Sequence, residues 1–172
     1  MQAPDPILVL RAQTGDRNAL DALLRMCQSP LHRYINGLVG DVTAAEDVLQ
    51  ECLFRIARKL KWLSDPSLFR VWAFRIASRE SHRYLSRHRL SSSIDDADMP
   101  SVEPEALSAI ELATVRHAVA TLSPASRAIV SLHYFEEMPL LEIAEVLEIP
   151  LGTVKSRLWY GLKQLRSLVR KA

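Results

Sequence analysis

The residues whose types and spacing are best suited to bind a ligand lie near the end of the chain, on one face of a predicted amphipathic helix. Between Gly152 and Ala172 there are six basic residues and no acidic residue. Basic side chains attract phosphate, and hydroxyl and aromatic side chains can reach base edges in a major groove. At about 100° per residue, one side of the helix carries Thr153, Lys155, Ser156, Arg157, Trp159, Tyr160 and Lys163. This pattern favours DNA binding over a solvated surface helix, on which acidic and basic residues would alternate.

A second basic face is predicted on a helix from Leu68 to Arg87. Four arginines recur there at i,i+4 spacing, with one acid, Glu80, among them: Arg75, Arg79, Arg83 and Arg87. Arginines along one face repel one another and require an anionic partner, which we expect to be nucleic acid. Trp72 shares this face and is suited to stacking on unpaired bases. The alternative for Trp72, packing into the core against a neighbouring helix, stays open.

A third candidate surface lies on a helix predicted from Val42 to Leu60. Its polar side carries Asp47, Gln50 and Glu51, with Phe54 among them. A phenylalanine on a polar face is costly to expose unless something covers it. We therefore interpret this side as a protein-docking face with Phe54 at its apolar centre. A lone surface aromatic, or one packed on a neighbouring helix, is the alternative.

Helices with apolar periodicity account for most of the chain, and no segment has the alternation of a strand. The fold class is therefore all-α. Near the end, Pro150 interrupts two apolar segments because proline lacks a backbone donor and disfavours helical geometry at the preceding residue. Two short helices around such a turn are typical of a helix-turn-helix. The predicted helices cover residues 6–26 (with a possible break near Gly15), 31–39, 42–60, 68–87, 105–122, 124–136, 139–147 and 151–170.

A segment rich in Ser, Asp and Pro separates two groups of these helices. Such a composition cannot bury enough apolar surface to order itself, so it predicts a flexible linker. The chain then consists of two small helical domains, residues 1–89 and 105–172, joined by an acidic linker of residues 90–104. Each domain is near the lower size limit for independent folding.

Composition argues against several other classes of protein. Cys27 and Cys52 lie on apolar helical faces and fit buried thiols better than a disulfide or a metal site. The five histidines are scattered, and no phosphate loop, nucleophile elbow or CxxC pair is present. No segment resembles a signal peptide or a membrane span. We expect a cytoplasmic protein that is not an enzyme, with no cofactor, metal or small-molecule substrate.

Several motifs together resemble the extracytoplasmic-function (ECF) sigma factors of bacteria. Asp47-Val48-Leu49-Gln50-Glu51 resembles the DxxQE motif of sigma region 2, and the run from Phe69 to Arg79 resembles its F..WL..IAR segment. Glu142-Ile143-Ala144 followed by Gly152-Thr153-Val154-Lys155-Ser156-Arg157-Leu158 resembles region 4. The combination covers nearly the whole chain and is more specific than a helix-turn-helix alone.

The resemblance implies an alternative sigma factor that binds core RNA polymerase and directs transcription initiation at promoters. Asp47, Gln50, Glu51 and Phe54 would dock on the β′ clamp helices, and region 4 would meet the β flap. The −10 element would be melted by region 2, with contacts from Ser64, Asp65, Ser67, Trp72, Arg75, Arg79, Glu80 and Arg83. Thr153, Lys155, Ser156, Arg157, Trp159, Tyr160 and Lys163 would read the −35 element. An anti-sigma factor is a further expected partner.

Two positions depart from the family pattern. Glu80 stands where the family usually has Asn facing the −10 DNA, and Tyr160 stands where it usually has Arg. Both bear on promoter preference. Two other functions stay open at this point: a stand-alone helix-turn-helix regulator and a sigma-like decoy that sequesters an anti-sigma factor. The regulator is disfavoured because residues 1–88 lack the alternating strands of a receiver domain. The acid-free helix argues against a decoy.

Overall fold

The computed structural model describes residues 1, 3–91 and 118–169, with side chains to residue 88 and from 118 to 167. These residues are helical with short connections, in agreement with the predicted all-α class. The first unit contains α1 (Pro6–Gln13), α2 (Arg17–Val39), α3 (Val42–Lys59) and α4 (Phe69–Ser91). Short 3₁₀ turns, Leu60–Trp62 and Pro66–Leu68, join α3 to α4. No helix in the described ranges is long and apolar enough to cross a membrane.

The helix boundaries follow from capping residues. Asp5, Asp16 and Asp41 each accept backbone N–H groups at the start of α1, α2 and α3, respectively. Gly15 and Gly40 adopt positive φ angles of 98° and 80°, which glycine tolerates without steric cost. The predicted break near Gly15 is therefore present, and the chain turns there between α1 and α2.

The predicted interruption of α2 at Pro30 does not occur. The helix continues as one element from Arg17 to Val39 with Pro30 inside it. Proline removes a single i→i−4 hydrogen bond. Burial of Cys27, Leu31 and Ile35, each fully inaccessible, holds the helix together on both sides of it.

The second unit contains α5 (Pro124–Val130), α6 (Leu140–Leu147) and α7 (Leu151–Val169). Residues 118–120 are also helical, whereas the rest of the predicted helix over 105–122 lies largely outside the described residues. The predicted helix over 124–136 ends in a wider turn, Ser131–Phe135, with π-helical hydrogen bonding. α4 ends at Ser91, two residues inside the predicted linker.

The two units are packed against each other. Their buried apolar side chains form one connected cluster that includes Leu23, Ile56 and Phe74 from the first unit and Ile129 and Ile143 from the second. α4 contacts α6, and α2 contacts α5 and the π-helical turn. A Cβ atom added to Gly37 would lie 3.7 Å from the Ser131 hydroxyl, so the α2 backbone faces this side chain of the second unit. The relative position of the two units therefore depends on side chains from both.

Candidate nucleic-acid and protein interfaces

The basic face of α7 is exposed to solvent. Val154 and Leu158 are buried and anchor the inner side of the helix. A Cβ atom on Gly161 would lie 3.4 Å from Ser126 and Val130, so α7 packs closely on α5. On the outer side Lys155, Ser156, Trp159, Tyr160 and Lys163 are exposed, and Thr153 and Arg157 are half-buried. Five of the seven predicted residues are thus exposed on the outer side of α7, whereas Thr153 and Arg157 lie at its edge.

Neighbouring side chains order the aromatic part of this face. Trp159 and Tyr160 meet edge to face with ring centroids 4.9 Å apart. The Lys163 ammonium lies 5.2 Å from the centroid of the Trp159 ring, within range of a cation–π interaction. The face therefore combines positive charge with two aromatic rings whose positions are fixed by these contacts, which suits binding to phosphates and base edges.

The turn before α7 has the geometry of a helix-turn-helix. Glu148 ends α6 in the left-handed conformation, with φ 56° and ψ 42°. Thr153 and Val154 then donate backbone hydrogen bonds to the Pro150 carbonyl at 2.9 and 3.1 Å. Pro150 itself has no N–H to leave unsatisfied at the start of α7. The predicted turn and its position are confirmed.

The predicted docking residues form a continuous exposed stripe on α3. Asp47, Gln50, Glu51 and Phe54 are all exposed, and Phe54 keeps 60% of its surface accessible. The spacing i, i+3, i+4, i+7 places them on one face. Beside them, a groove of about 270 Å³ lies between Phe54 and Trp62. Phe54 is therefore not covered by a neighbouring helix within the described residues, and an apolar surface is available to a partner.

The loop between α3 and α4 presents Ser64, Asp65 and Ser67 to solvent. The Asp65 carboxylate accepts hydrogen bonds from the Ser67 hydroxyl at 2.6 Å and the Ser67 backbone N–H at 2.9 Å. These hydrogen bonds lower the pKa of the Asp65 carboxyl group. The loop is a hydrogen-bonded turn before α4.

Trp62, at the start of this loop, was not among the predicted site residues. It is 66% exposed, and the Lys61 ammonium lies 4.4 Å from the centroid of its ring. The signal available in the sequence was a Lys-Trp pair directly before the Ser-Asp-Pro turn. Trp72 behaves differently because it is half-buried, packs against the core and approaches the Phe69 ring at 5.9 Å. Of its two alternatives, core packing describes this tryptophan better.

Glu80 lies inside an ion-pair network and not on an open DNA face. Its side chain is only 8% exposed and contacts Arg83 at 2.6 Å and Arg55 at 3.3 Å. Arg55 also contacts Glu51 at 2.6 Å. The expectation that Glu80 faces DNA directly therefore needs correction. Its carboxylate is buried and is already paired with two arginines. Arg55 was missed, although its i,i+4 spacing from Glu51 is a recognisable signal.

The predicted arginine face of α4 has partners within the chain. The Arg79 guanidinium donates two hydrogen bonds to the Glu148 carboxylate, at 2.6 and 3.0 Å. The Arg75 Nε donates to the Glu145 carbonyl oxygen at 3.0 Å. The charge on this face is thus offset by α6 and its end, so nucleic acid is not the only anionic partner available to it.

The site residues group into three separate surfaces: the α3 stripe, the loop with the basic face of α4, and the outer face of α7. The first two adjoin through the chain of ion pairs from Glu51 to Arg83. In the residues that the structure describes, no cluster of His, Cys, Asp or Glu has the arrangement of a metal site. Two helical units with a helix-turn-helix and an exposed basic helix define the class of a DNA-binding protein, and α3 adds an exposed stripe that includes Phe54.

Comparison with known families makes the class specific. The model of "Sigma-70 region 2" matches residues 23–90, and that of "Sigma-70, region 4" matches residues 118–167. The RNA polymerase sigma-H factor of Pseudomonas aeruginosa is 31% identical over 99% of this chain and 98% of its own length. The ECF sigma factor SigW of Bacillus subtilis is 26% identical over 94% and 95%. The chain belongs to the ECF group of the sigma-70 family, and it acts in transcription initiation.

Solved structures agree with this assignment. CnrH in complex with the cytosolic domain of CnrY is similar with a TM-score of 0.75 and 25% identity, over 97% of both chains. The sigma factor RpoE in complex with the anti-sigma factor NepR from Bartonella quintana has a TM-score of 0.76 and 19% identity, over 87% of this chain and 96% of that one. The fold of both units is therefore that of a two-domain sigma factor.

Proposed function

We propose that this protein brings core RNA polymerase to promoters by means of the three surfaces, each of which binds a different part of the polymerase or the promoter. The α3 stripe docks on the β′ clamp helices, the loop and α4 hold the −10 element, and α7 reads the −35 element while region 4 meets the β flap. The observation that carries this proposal is the presence, in one chain, of an exposed Phe54-centred face and an exposed acid-free α7 face. The role is that of an initiation factor and not an enzyme, in the cytoplasm where the polymerase works.

The residue roles follow from exposure and charge. Lys155 and Lys163 contact phosphates, since a point charge on a flexible stem suits them. Trp159, Tyr160, Thr153 and Ser156 face bases, with Arg157 at the inner edge. On the other unit, Ser64, Asp65 and Ser67 border the unpaired −10 strand, with Trp72 supporting α4 from its half-buried position. Arg75, Arg79 and Arg83 contact the sugar-phosphate backbone of the −10 strand. Glu80 acts on the DNA through Arg83, which it holds in place.

We also propose an anti-sigma partner that presents an acidic amphipathic helix. A groove of about 570 Å³ runs between the two units, with an apolar floor that includes Leu38 and Ala128. Arg157 lies along it and favours an acidic occupant, whereas Arg79 in the same groove is already paired with Glu148. One of the similar solved structures is of a sigma factor in complex with an anti-sigma factor, and another is of CnrH in complex with the cytosolic domain of CnrY. We propose the same domain bounds as the sequence predicts, residues 1–89 and 105–172, with the linker between them.

In vitro transcription tests the proposed function. Purified protein and core polymerase are incubated with a pooled library of genomic promoters, and the transcript starts are sequenced. We expect discrete starts that share an upstream pair of motifs. Replacing Asp47 and Gln50 with Ala is expected to abolish both core binding and transcripts. Core binding without any transcript would overturn the initiation role, and transcripts from the double variant would overturn the docking assignment.

A further inference from the structure

A glutamine at the end of α1 hydrogen-bonds to the turn that follows α3. The Gln13 amide nitrogen donates to the Leu60 carbonyl oxygen at 2.9 Å and to the Leu63 carbonyl oxygen at 2.7 Å. An amide group carries two N–H hydrogens, so both hydrogen bonds form at once. Leu60 begins the 3₁₀ turn Leu60–Trp62, and Leu63 directly follows that turn. One side chain from α1 therefore connects the two ends of the turn.

The two carbonyl groups need a donor because they lie where α3 ends. The last carbonyls of an α-helix lack partners within the helix, and Leu60 is the residue that caps α3. Its carbonyl also accepts the Leu63 backbone N–H at 3.0 Å, as is usual in a 3₁₀ turn. In the part of the chain that the structure describes, Gln13 is the only residue whose side chain hydrogen-bonds to the backbone of residues 60–64.

The way in which α1 ends fixes the position of Gln13. The Gly15 N–H donates to the Ala12 carbonyl at 3.2 Å. The Asp16 N–H donates to the Arg11 carbonyl at 3.1 Å. Together with the positive φ of Gly15, these hydrogen bonds form a Schellman motif. Ala12 is buried, and α1 contacts both 3₁₀ turns between α3 and α4. The half-buried Gln13 side chain thus extends from a well-defined backbone.

The turn bound by Gln13 leads directly into the loop of residues 64–67, which the proposed function assigns to the −10 strand. Hydrogen bonds within this loop determine its local shape. Phe69 is fully buried at the start of α4 and anchors the end of the loop. At the beginning of the loop, Leu63 is only half-buried. The position of the loop relative to α3 therefore depends on the hydrogen bonds from Gln13.

We infer that Gln13 is a positioning residue for −10 recognition, although it lies outside the three surfaces. It holds the Leu60–Trp62 turn, and through it the loop of residues 64–67, in the geometry that receives an unpaired base. Binding residues must be held within about 0.5 Å of their productive geometry, and supporting hydrogen bonds provide this precision. The effect on promoters rests on the proposed −10 role of the loop, whereas the effect of Gln13 on the turn does not.

Two substitutions of Gln13 remove its donors in different ways. Gln13→Leu removes both N–H groups at a similar side-chain size, and Gln13→Glu keeps the shape but places acceptor oxygens against two carbonyl groups. Gln28 provides a matched control, because it is an exposed glutamine on α2 whose side chain makes no hydrogen bond within the described residues. Gln28→Leu therefore makes the same chemical change without breaking a contact. Circular dichroism confirms that each variant is folded.

Amide hydrogen exchange of the full chain, without polymerase or DNA, tests the positioning of the turn. We expect peptides covering residues 60–68 to exchange about 10-fold faster in both Gln13 variants than in the wild type and Gln28→Leu, because opening the turn no longer breaks two hydrogen bonds. Peptides from α7 should exchange equally in all four proteins. Equal exchange over residues 60–68 would overturn the inference, whatever the loop binds. Faster exchange throughout the chain would overturn it as well, since it would indicate a general loss of stability.

Transcription of the pooled promoter library by core polymerase with each protein tests the effect on promoters. In both Gln13 variants, we expect the preference for the favoured −10 bases to fall at least about 5-fold, within the free energy of two hydrogen bonds. Preference at the −35 element and core binding should be unchanged. A protein that is only destabilised would lose transcripts without a change of motif. If the turn exchanges faster but the −10 motif is unchanged, the inference is overturned through the proposed role of the loop, and not through the contact.

Discussion

At the scale of single residues, Glu80 differs most from its predicted role. Its carboxylate is buried between Arg55 and Arg83, so it connects α3 to α4. Both arginines are partly exposed, and Arg55 keeps Glu51 as a second partner. Loss of the Glu80 charge therefore leaves no cation buried without a partner, which limits the expected loss in the free energy of unfolding.

We predict that Glu80→Gln lowers the free energy of unfolding by about 1–2 kcal/mol. The measurement is urea denaturation followed by circular dichroism. Glu46→Gln, an exposed acid on α3 with no ion pair among the described residues, should change stability by less than about 0.5 kcal/mol. A loss for Glu80→Gln no greater than that of the control would show that the network adds nothing to stability.

The two cysteines give a second prediction at this scale. Both are buried, and burial raises the pKa of the Cys27 and Cys52 thiols to about 12. The thiolate is the reactive form, so at pH 8 the folded protein should react very slowly with Ellman's reagent. Addition of denaturant should release both thiols for rapid reaction. Rapid reaction of either cysteine in the native protein would contradict its burial.

At the scale of helices, the residues on the exposed faces of α3 and α7 are distinct from the residues that pack into the core. The residues of the α3 stripe are exposed, while Val48, Cys52 and Ile56 on the other side are buried. Replacing Asp47 and Gln50 with Ala should thus remove core-polymerase binding without loss of helical content. Asp21→Ala on α2 is the control, since among the described residues this exposed acid is paired with Arg25 alone. Binding is measured by fluorescence anisotropy with labelled protein.

The α7 face allows phosphate contact to be separated from base recognition. Lys155→Glu should weaken binding of the polymerase holoenzyme to its promoter by about 1–3 kcal/mol and reduce the salt dependence. Competition between specific and unrelated duplexes measures the two contributions. If affinity falls equally for both duplexes, Lys155 contacts phosphate only. An unchanged promoter affinity would place Lys155 outside the interface.

At the scale of the whole molecule, the two units share one apolar cluster and a buried carboxylate. Such coupling should make the units unfold together. We predict one calorimetric transition for the wild type and two for Glu136→Gln, because the neutral amide loses its charged pairing with Arg33. Glu137→Gln, the exposed neighbour, should keep a single transition. Two transitions in the wild type would show that the interface adds little to stability.

Local sequence determined much of this protein. The period of apolar residues, the capping aspartates and the Pro150 turn act over a few residues. Most of the helices, the helix-turn-helix and the exposed faces of α3 and α7 were therefore predictable. The motifs around Asp47 and Gly152 also indicated the family.

Only the tertiary structure decided what the arginines of α4 contact and where Glu80 lies. A helical wheel shows that Arg75 and Arg79 share a face, but Glu145 and Glu148 are about 70 residues away in sequence. Ion pairs between distant segments depend on how two units pack, and no local pattern encodes that packing. The continuity of α2 through Pro30 has the same origin, because burial on both sides outweighs one missing hydrogen bond.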